Sequence, residues 1–370
     1  MKRMIILFLA VGLFLAGCGD IMDGSYHNTS ENEVSGEQTE EQVVSVSWYG
    51  ELHDALVEMI RDGKVNGLIS VTRYDQNKVM SDAHDAVREV MVQDPIGAYA
   101  VEDIQFELGT SGGQPAIAVT VTYRHSRAQI QKIRQMKDAE QMWKAITGAM
   151  DRCESSVVLY VEKYEDVDFD LGVSAYSALN PDKVMEVPDV AVSVYPEEGR
   201  SRVVEVKFYY QNGRDVLKAM QSHVQSLFDN AMTLAAEGTQ QERFAALYRV
   251  VRDPEEDLEL ETSITPAYSL LAYRVGDSRT VALVYAALCN KAELECMTVT
   301  GTKAGVPWYW NIVCVDGAYY HMDLLAGPAE GPRFLADQDM NGYVWDYSAY
   351  PECGAAPEIS DLPTEPQGNE

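Results

Sequence analysis

Alternating hydrophobic and polar positions appear twice along this chain in the same order, and that repetition predicts most of its architecture. Val101-Glu102-Asp103-Ile104-Gln105-Phe106-Glu107-Leu108 aligns with Val187-Pro188-Asp189-Val190-Ala191-Val192-Ser193-Val194 at an offset of 86 residues. Ile117 to Tyr123 then aligns with Val204 to Tyr210 at 87, one residue having been added in the intervening turn. Period-two alternation buries one face of a strand. Gly112-Gly113 and Glu198-Gly199 mark the hairpin turns. Upstream, Leu68–Tyr74 and Ser156–Tyr164 also alternate, each followed by a segment of helical character. Downstream of each hairpin, a polar turn leads to a helical stripe, marked by Ile130, Ile133 and Met136 in the first copy and by Val216, Leu217, Met220 and Val224 in the second. Each unit therefore reads β-α-β-β-α. The expected fold class is α+β, with a first unit over 44–150 that includes a leading helix at 48–61, and a second over 151–237.

Polar composition changes the picture at both ends. Lys2 and Arg3 precede the apolar run Met4–Leu15, which is too short for a membrane span but has the length and charge of a signal peptide over 1–17. Leu15-Ala16-Gly17-Cys18 resembles the lipobox of bacterial lipoproteins, which implies cleavage before Cys18 and lipidation of Cys18. Residues 18–43 are rich in Ser, Asn, Glu, Gln and Gly and read as a disordered tether, and 354–370 as a disordered tail. The expected location is the outer face of a bacterial cell membrane, with the membrane contacted through Cys18.

A formal charge of −29 over 370 residues repels phosphate backbones and excludes nucleic acid as a partner. Five cysteines remain after Cys18, so at least one stays free; Cys314 and Cys353 are plausible disulfide partners. No CxxC pair occurs, the histidines His84, His125 and His223 stand singly, and the acidic run 255–261 lacks the calcium-loop pattern. No metal and no cofactor is expected.

The third region, 238–353, carries the candidate chemistry. Gly276-Asp277-Ser278 opens an Ala-rich helical pattern with Ala282, Ala286 and Ala287. Met297-Thr298-Val299-Thr300-Gly301, Trp308-Tyr309-Trp310-Asn311 and Asp316-Gly317-Ala318-Tyr319-Tyr320-His321-Met322-Asp323 follow. In this order and spacing, residues 240–353 resemble a transglutaminase-like domain of the papain-type superfamily. The resemblance implies a nucleophilic Cys at the helix start, a His on the next-but-one element, and an acid beyond it. The corresponding residues are Ser278, Trp308 and Asp323.

That substitution pattern predicts a pseudoenzyme with a degenerate triad. A serine hydroxyl is too weakly acidic for a helix dipole to ionise and needs a base in contact. An indole nitrogen only donates. Ser278 then reads as a helix N-cap. The alternative is a serine-dependent hydrolase or acyltransferase using Ser278, His321 and Asp323, with His321 and Asp323 on one face of a strand. The expected function is non-catalytic binding of a peptide, protein or cell-wall ligand through a cleft lined by Trp308, Trp310, Tyr320 and His321.

Overall fold

The computed structural model describes residues 43–252, 264–328 and 331–354. The signal segment, almost all of the tether, the acidic run at 255–261 and the tail beyond Gly354 lie outside the described residues. No helix among the described residues is long and apolar enough to cross a membrane.

The first unit contains β1 (Val44–Ser45), α1 (Tyr49–Arg61), β2 (Asn66–Ser70), α2 (Val79–Val92), α3 (Pro95–Ala100), β3 (Val101–Ser111) and β4 (Gln114–Tyr123). Its sheet has the order β1-β2-β4-β3, with β1 parallel to β2 and the other pairs antiparallel. A single turn, α4 (Arg127–Ile130), leads to β5 (Arg134–Met136), α5 (Ala139–Asp151), β6 (Ser156–Val161), α6 (Phe169–Leu179), β7 (Asp189–Tyr195) and β8 (Arg202–Tyr209). This second sheet has the order β5-β6-β8-β7, the same topology as the first.

The strand registers coincide position by position. Ile104 pairs with Val121 in the first hairpin and Val190 with Phe208 in the second, which are the residues aligned at 86 and 87. Val44 pairs with Ile69, and Arg134 with Leu159, 25 residues apart in both copies. Gly112 and Gly113, at φ 58° and 82°, supply the left-handed backbone of the β3–β4 turn.

Apart from α3 in the first copy, each copy runs β-α-β-α-β-β, with α1 and α5 in equivalent places, so the β-α-β-β-α reading put the closing helix of each copy in the wrong unit. Met142, Ile146 and Met150 of α5 pack with Val157, Leu159 and Val204 of the second sheet. Leu217, Val224 and Phe228 of α7 (Arg214–Leu234) pack with Leu247 and Tyr285 of the third region. Each closing helix thus covers the unit that follows it. The helix expected over Ile130, Ile133 and Met136 is instead one turn and a short strand. The Ser126–Gln129 capping box starts that turn, and Arg134–Met136 then pairs in parallel with β6, a non-local partner.

The third region contains α8 (Gln240–Val251), α9 (Pro266–Tyr273), α10 (Ser278–Lys291), β9 (Cys296–Lys303), β10 (Val306–Val315), β11 (Ala318–Met322) and β12 (Tyr343–Trp345), in a sheet of order β11-β10-β9-β12. Alternation on β10 sends Val313 and Val315 into the core shared with α7, α8 and α10, and Trp310 and Ile312 into a second core with Met340, Trp345 and Cys353. Both faces of the central strands are covered. Gly301 on β9 permits this closeness: a Cβ there would lie 2.3 Å from the Val344 carbonyl oxygen and 2.8 Å from the Trp310 ring.

Candidate functional site

Ser278 is the first residue of α10, one position inside the expected cap. Asp277 is the N-cap, its Oδ1 accepting from Thr280 N at 2.8 Å. The shorter serine side chain turns instead toward β10, where its Oγ accepts from the backbone N–H of Tyr309 at 3.3 Å. Ser278 is buried and hydrogen-bonds neither Trp308 nor Asp323.

Trp308 and Asp323 do meet. The Trp308 indole Nε1–H donates to Asp323 Oδ2 at 2.8 Å, so an indole makes the bond to the acid that the resemblance assigns to an imidazole. Tyr343 O–H donates to the same oxygen at 2.5 Å and Lys303 Nζ at 3.2 Å. The other oxygen accepts from the backbone N–H groups of Leu325 and Ala326, at 3.0 and 3.1 Å. Five donors therefore converge on one buried carboxylate. The Lys303 ammonium also lies over the Trp308 ring, at 4.8 Å, and the Tyr343 ring, at 5.0 Å. Burial, and then the bond to Asp323, push the Tyr343 hydroxyl well above the ordinary tyrosine range. Lys303 escapes sequence reasoning, since no motif marks it; Tyr343 falls in the tail Phe334-Leu335 to Tyr343-Val344-Trp345, which also resembles the family, but nothing in that pattern points it at Asp323. The one available signal is the Ala304-Gly305 turn, which pairs β9 with β10 and brings Lys303 to the Trp308 end of the hairpin.

His321 is fully buried and bonded at both nitrogens. Trp310 Nε1–H donates to Nδ1 at 2.9 Å, and Nε2 lies 2.8 Å from Asp337 Oδ1. An N–H aimed at Nδ1 requires that nitrogen to be the acceptor, so Nε2 carries the proton and donates to Asp337. Burial holds the imidazole pKa below its ordinary value, against the opposing pull of Asp337. His321 and Asp323 share a face of the strand, as expected, yet His321 turns to Trp310 and Asp337 rather than to Ser278.

The expected binding cleft needs correction. Trp310, Tyr320 and His321 are core residues, because helices cover one face of the sheet and the C-terminal segment covers the other. Trp308 alone of the four is partly exposed. The accessible surface near Ser278 is formed by Trp308, by Tyr309 with the Arg279 guanidinium 5.9 Å from its ring, and by a cavity of about 200 Å³. That cavity lies between α6 and the first turn of α10 and is lined by Ala178, Val187, Arg279, Thr280 and Leu283 among others.

Cys314 and Cys353 are unpaired, and all five described cysteines are free thiols. Among the described residues, one trio of metal-ligand type comes together: His321, Asp337 and Cys353, with ligand atoms within 4.8 Å of one another. It does not fit a metal. Nε2 is the protonated nitrogen, and burial, with Asp337 nearby, pushes the Cys353 thiol up to about 12, away from the thiolate that a metal requires.

No protein-family model matches the chain, and no curated protein matches it. Similar solved structures include three of low identity. A structure described as a TGase shares 10% identity at a TM-score of 0.26, covering 68% of this chain and 72% of that one. A putative cysteine protease from Cytophaga hutchinsonii shares 15% identity at 0.23, covering 42% and 70%. A putative protease from Parabacteroides distasonis shares 10% identity at 0.23, covering 72% of this chain and 42% of that one. TM-scores this low carry no argument, and the reading of the site stands on its own geometry.

Proposed function

We propose that this chain is a lipid-anchored surface protein whose transglutaminase-like domain has become a non-catalytic binding module for a peptide, protein or cell-wall ligand. The observation that carries the reading is the Trp308–Asp323 hydrogen bond. It keeps the architecture of an acid-oriented base while placing at the base position a group that cannot accept a proton. The acid itself is saturated by five donors and has no further role to fill.

The alternative triad of Ser278, His321 and Asp323 finds no support in the geometry. Its base is committed to Trp310 and Asp337, and its acid to Trp308, Lys303 and Tyr343. The binding surface is the exposed rim of the former site, formed by Trp308, Tyr309 and Arg279 beside the cavity under α6. Anchoring rests on Cys18 and the sequence around it.

The test is retention on purified peptidoglycan and on arrays of surface-protein peptides. The parent is retained, and Arg279→Glu, a change at an exposed side chain, is released. A cleaved or cross-linked product formed by the parent but not by Ser278→Ala overturns the proposal.

A further inference from the structure

The two sheets share a topology but not the fate of their outer faces. Glu205 on β8 is equivalent to Ala118 on β4, and Lys207 to Thr120, at the offset of 87 that aligns the hairpins. Ala118 and Thr120 are exposed to solvent. Glu205 is 8% exposed, because α3 and the segment after β4 lie against the second sheet, with the Tyr99 and Tyr195 rings 5.6 Å apart. The second copy thus carries a carboxylate at a covered position where the first carries a methyl group. A covered carboxylate is costly unless polar groups or solvent meet it. Lys207 Nζ, at 3.3 Å, is one such partner.

The other side of Glu205 faces a cavity of about 570 Å³ between the two units, within the range of small-molecule sites. Its lining carries both signs of charge. Its cations are Lys132, which makes no ion pair among the described residues, and Arg134. Arg134 shares Glu154 with Arg152, at 3.3 and 2.6 Å, so two guanidiniums are balanced by one carboxylate. Glu154, Glu205, Gln129, Ser156 and Tyr99 supply the rest of the polar lining. In a chain with twice as many acids as bases, a lining in which Lys132 and Arg134 match Glu154 and Glu205 in number is a departure from the average.

We infer that this cavity is a binding site for a small hydroxylated carboxylate of the sugar-acid class, with its carboxylate at Lys132 and Arg134 and its hydroxyl groups at Glu205 and Ser156. An ionised acceptor such as Glu205 favours hydroxyl donors, and a lysine beside an arginine favours a carboxylate. A neutral sugar leaves Lys132 without a counter-charge, and a simple anion makes no use of Ser156 or of the Glu205 oxygen that Lys207 does not hold. The site is independent of the rim around Ser278.

D-glucuronate titrated into the full chain tests this, followed by calorimetry and by thermal melting, with D-glucose and acetate at equal ionic strength as comparisons. Saturable binding of glucuronate with a rise in melting temperature is expected, and neither comparison compound should reproduce it. Lys132→Ala, at an exposed side chain, should weaken binding by about tenfold or more, the effect of one charge-assisted hydrogen bond. Glu205→Gln should weaken glucuronate binding without changing the parent fold, as read from the circular dichroism spectrum. Absence of saturable glucuronate binding to the parent overturns the inference. So does equal binding of acetate, or unchanged affinity in Lys132→Ala.

Discussion

Asp323→Ala removes the acceptor that five donors share, and the structure sets the size of the consequence. Trp308 Nε1, Tyr343 Oη and the backbone nitrogens of Leu325 and Ala326 lose a buried partner, and Lys303 loses its counter-charge. A buried donor left unsatisfied costs about 1–3 kcal/mol, and breaking a buried ion pair costs about 3–5 kcal/mol. Lys303 is 31% exposed at its side chain and recovers much of its loss from water, so its share is discounted. Water entering the space left by the carboxylate offsets part of the rest. A net destabilisation of roughly 3–5 kcal/mol follows. For a chain of 370 residues that lowers the melting temperature by roughly 4–6 °C. Tyr343→Phe, which removes one donor and leaves the acceptor paired, should cost only about 1 kcal/mol. Urea denaturation of the three proteins, followed by tryptophan fluorescence, gives the comparison. A loss below about 1 kcal/mol for Asp323→Ala would refute the argument that the acid has become a structural hub.

Other perturbations probe neighbouring parts of the account. Ser278→Cys should react with iodoacetamide as an ordinary buried thiol, whereas Ser278→Cys with Trp308→His should react at least about tenfold faster if an imidazole at 308 can form an ion pair with the thiolate; equal rates would show that residue 308 does not address the helix start. Gly301→Ala should destabilise by about 1–3 kcal/mol because its Cβ meets the Val344 carbonyl, while Gly109→Ala, with nothing within 4 Å, should not, as thermal melting of the pair would show. His321 has a folded pKa below its unfolded value, so the unfolded chain binds the extra proton first. Its contribution is complete above about pH 6.5 and is lost as pH falls from there through the folded value. The stability gap between the parent and His321→Gln should therefore narrow between pH 7.5 and 5.5, and a gap that widens would contradict the burial of a neutral imidazole.

The parts of this fold that were legible in the sequence are those written in local alternation. Ile104 and Val121 could be matched to Val190 and Phe208 because strand periodicity survives in both copies. The parallel pairing of Arg134–Met136 with β6 could not, because a three-residue edge strand is defined by a distant partner rather than by its own pattern. Ile130, Ile133 and Met136 met a helical spacing by coincidence, Ile130 ending the short turn α4, Ile133 lying in the loop and Met136 on β5. At the site, residue types alone were enough to show that an indole cannot act as a base. They did not show where His321 points, since Asp337 and Trp310 reach it from other strands and turns. Nor did they show that Trp310 and Tyr320 are core, because alternation identifies two faces without saying that both are covered. Asp277 and Ser278 are both good capping residues, and only the backbone separates them.

The most direct measurement of the central claim is intact-mass and peptide-mapping analysis of the parent after incubation with a fluorophosphonate, alongside Ser278→Ala. No adduct at Ser278 is expected, because neither His321 nitrogen is free to take its proton. A stoichiometric adduct on Ser278 that disappears in Ser278→Ala would mean that a base does reach the hydroxyl, and the non-catalytic account would be wrong.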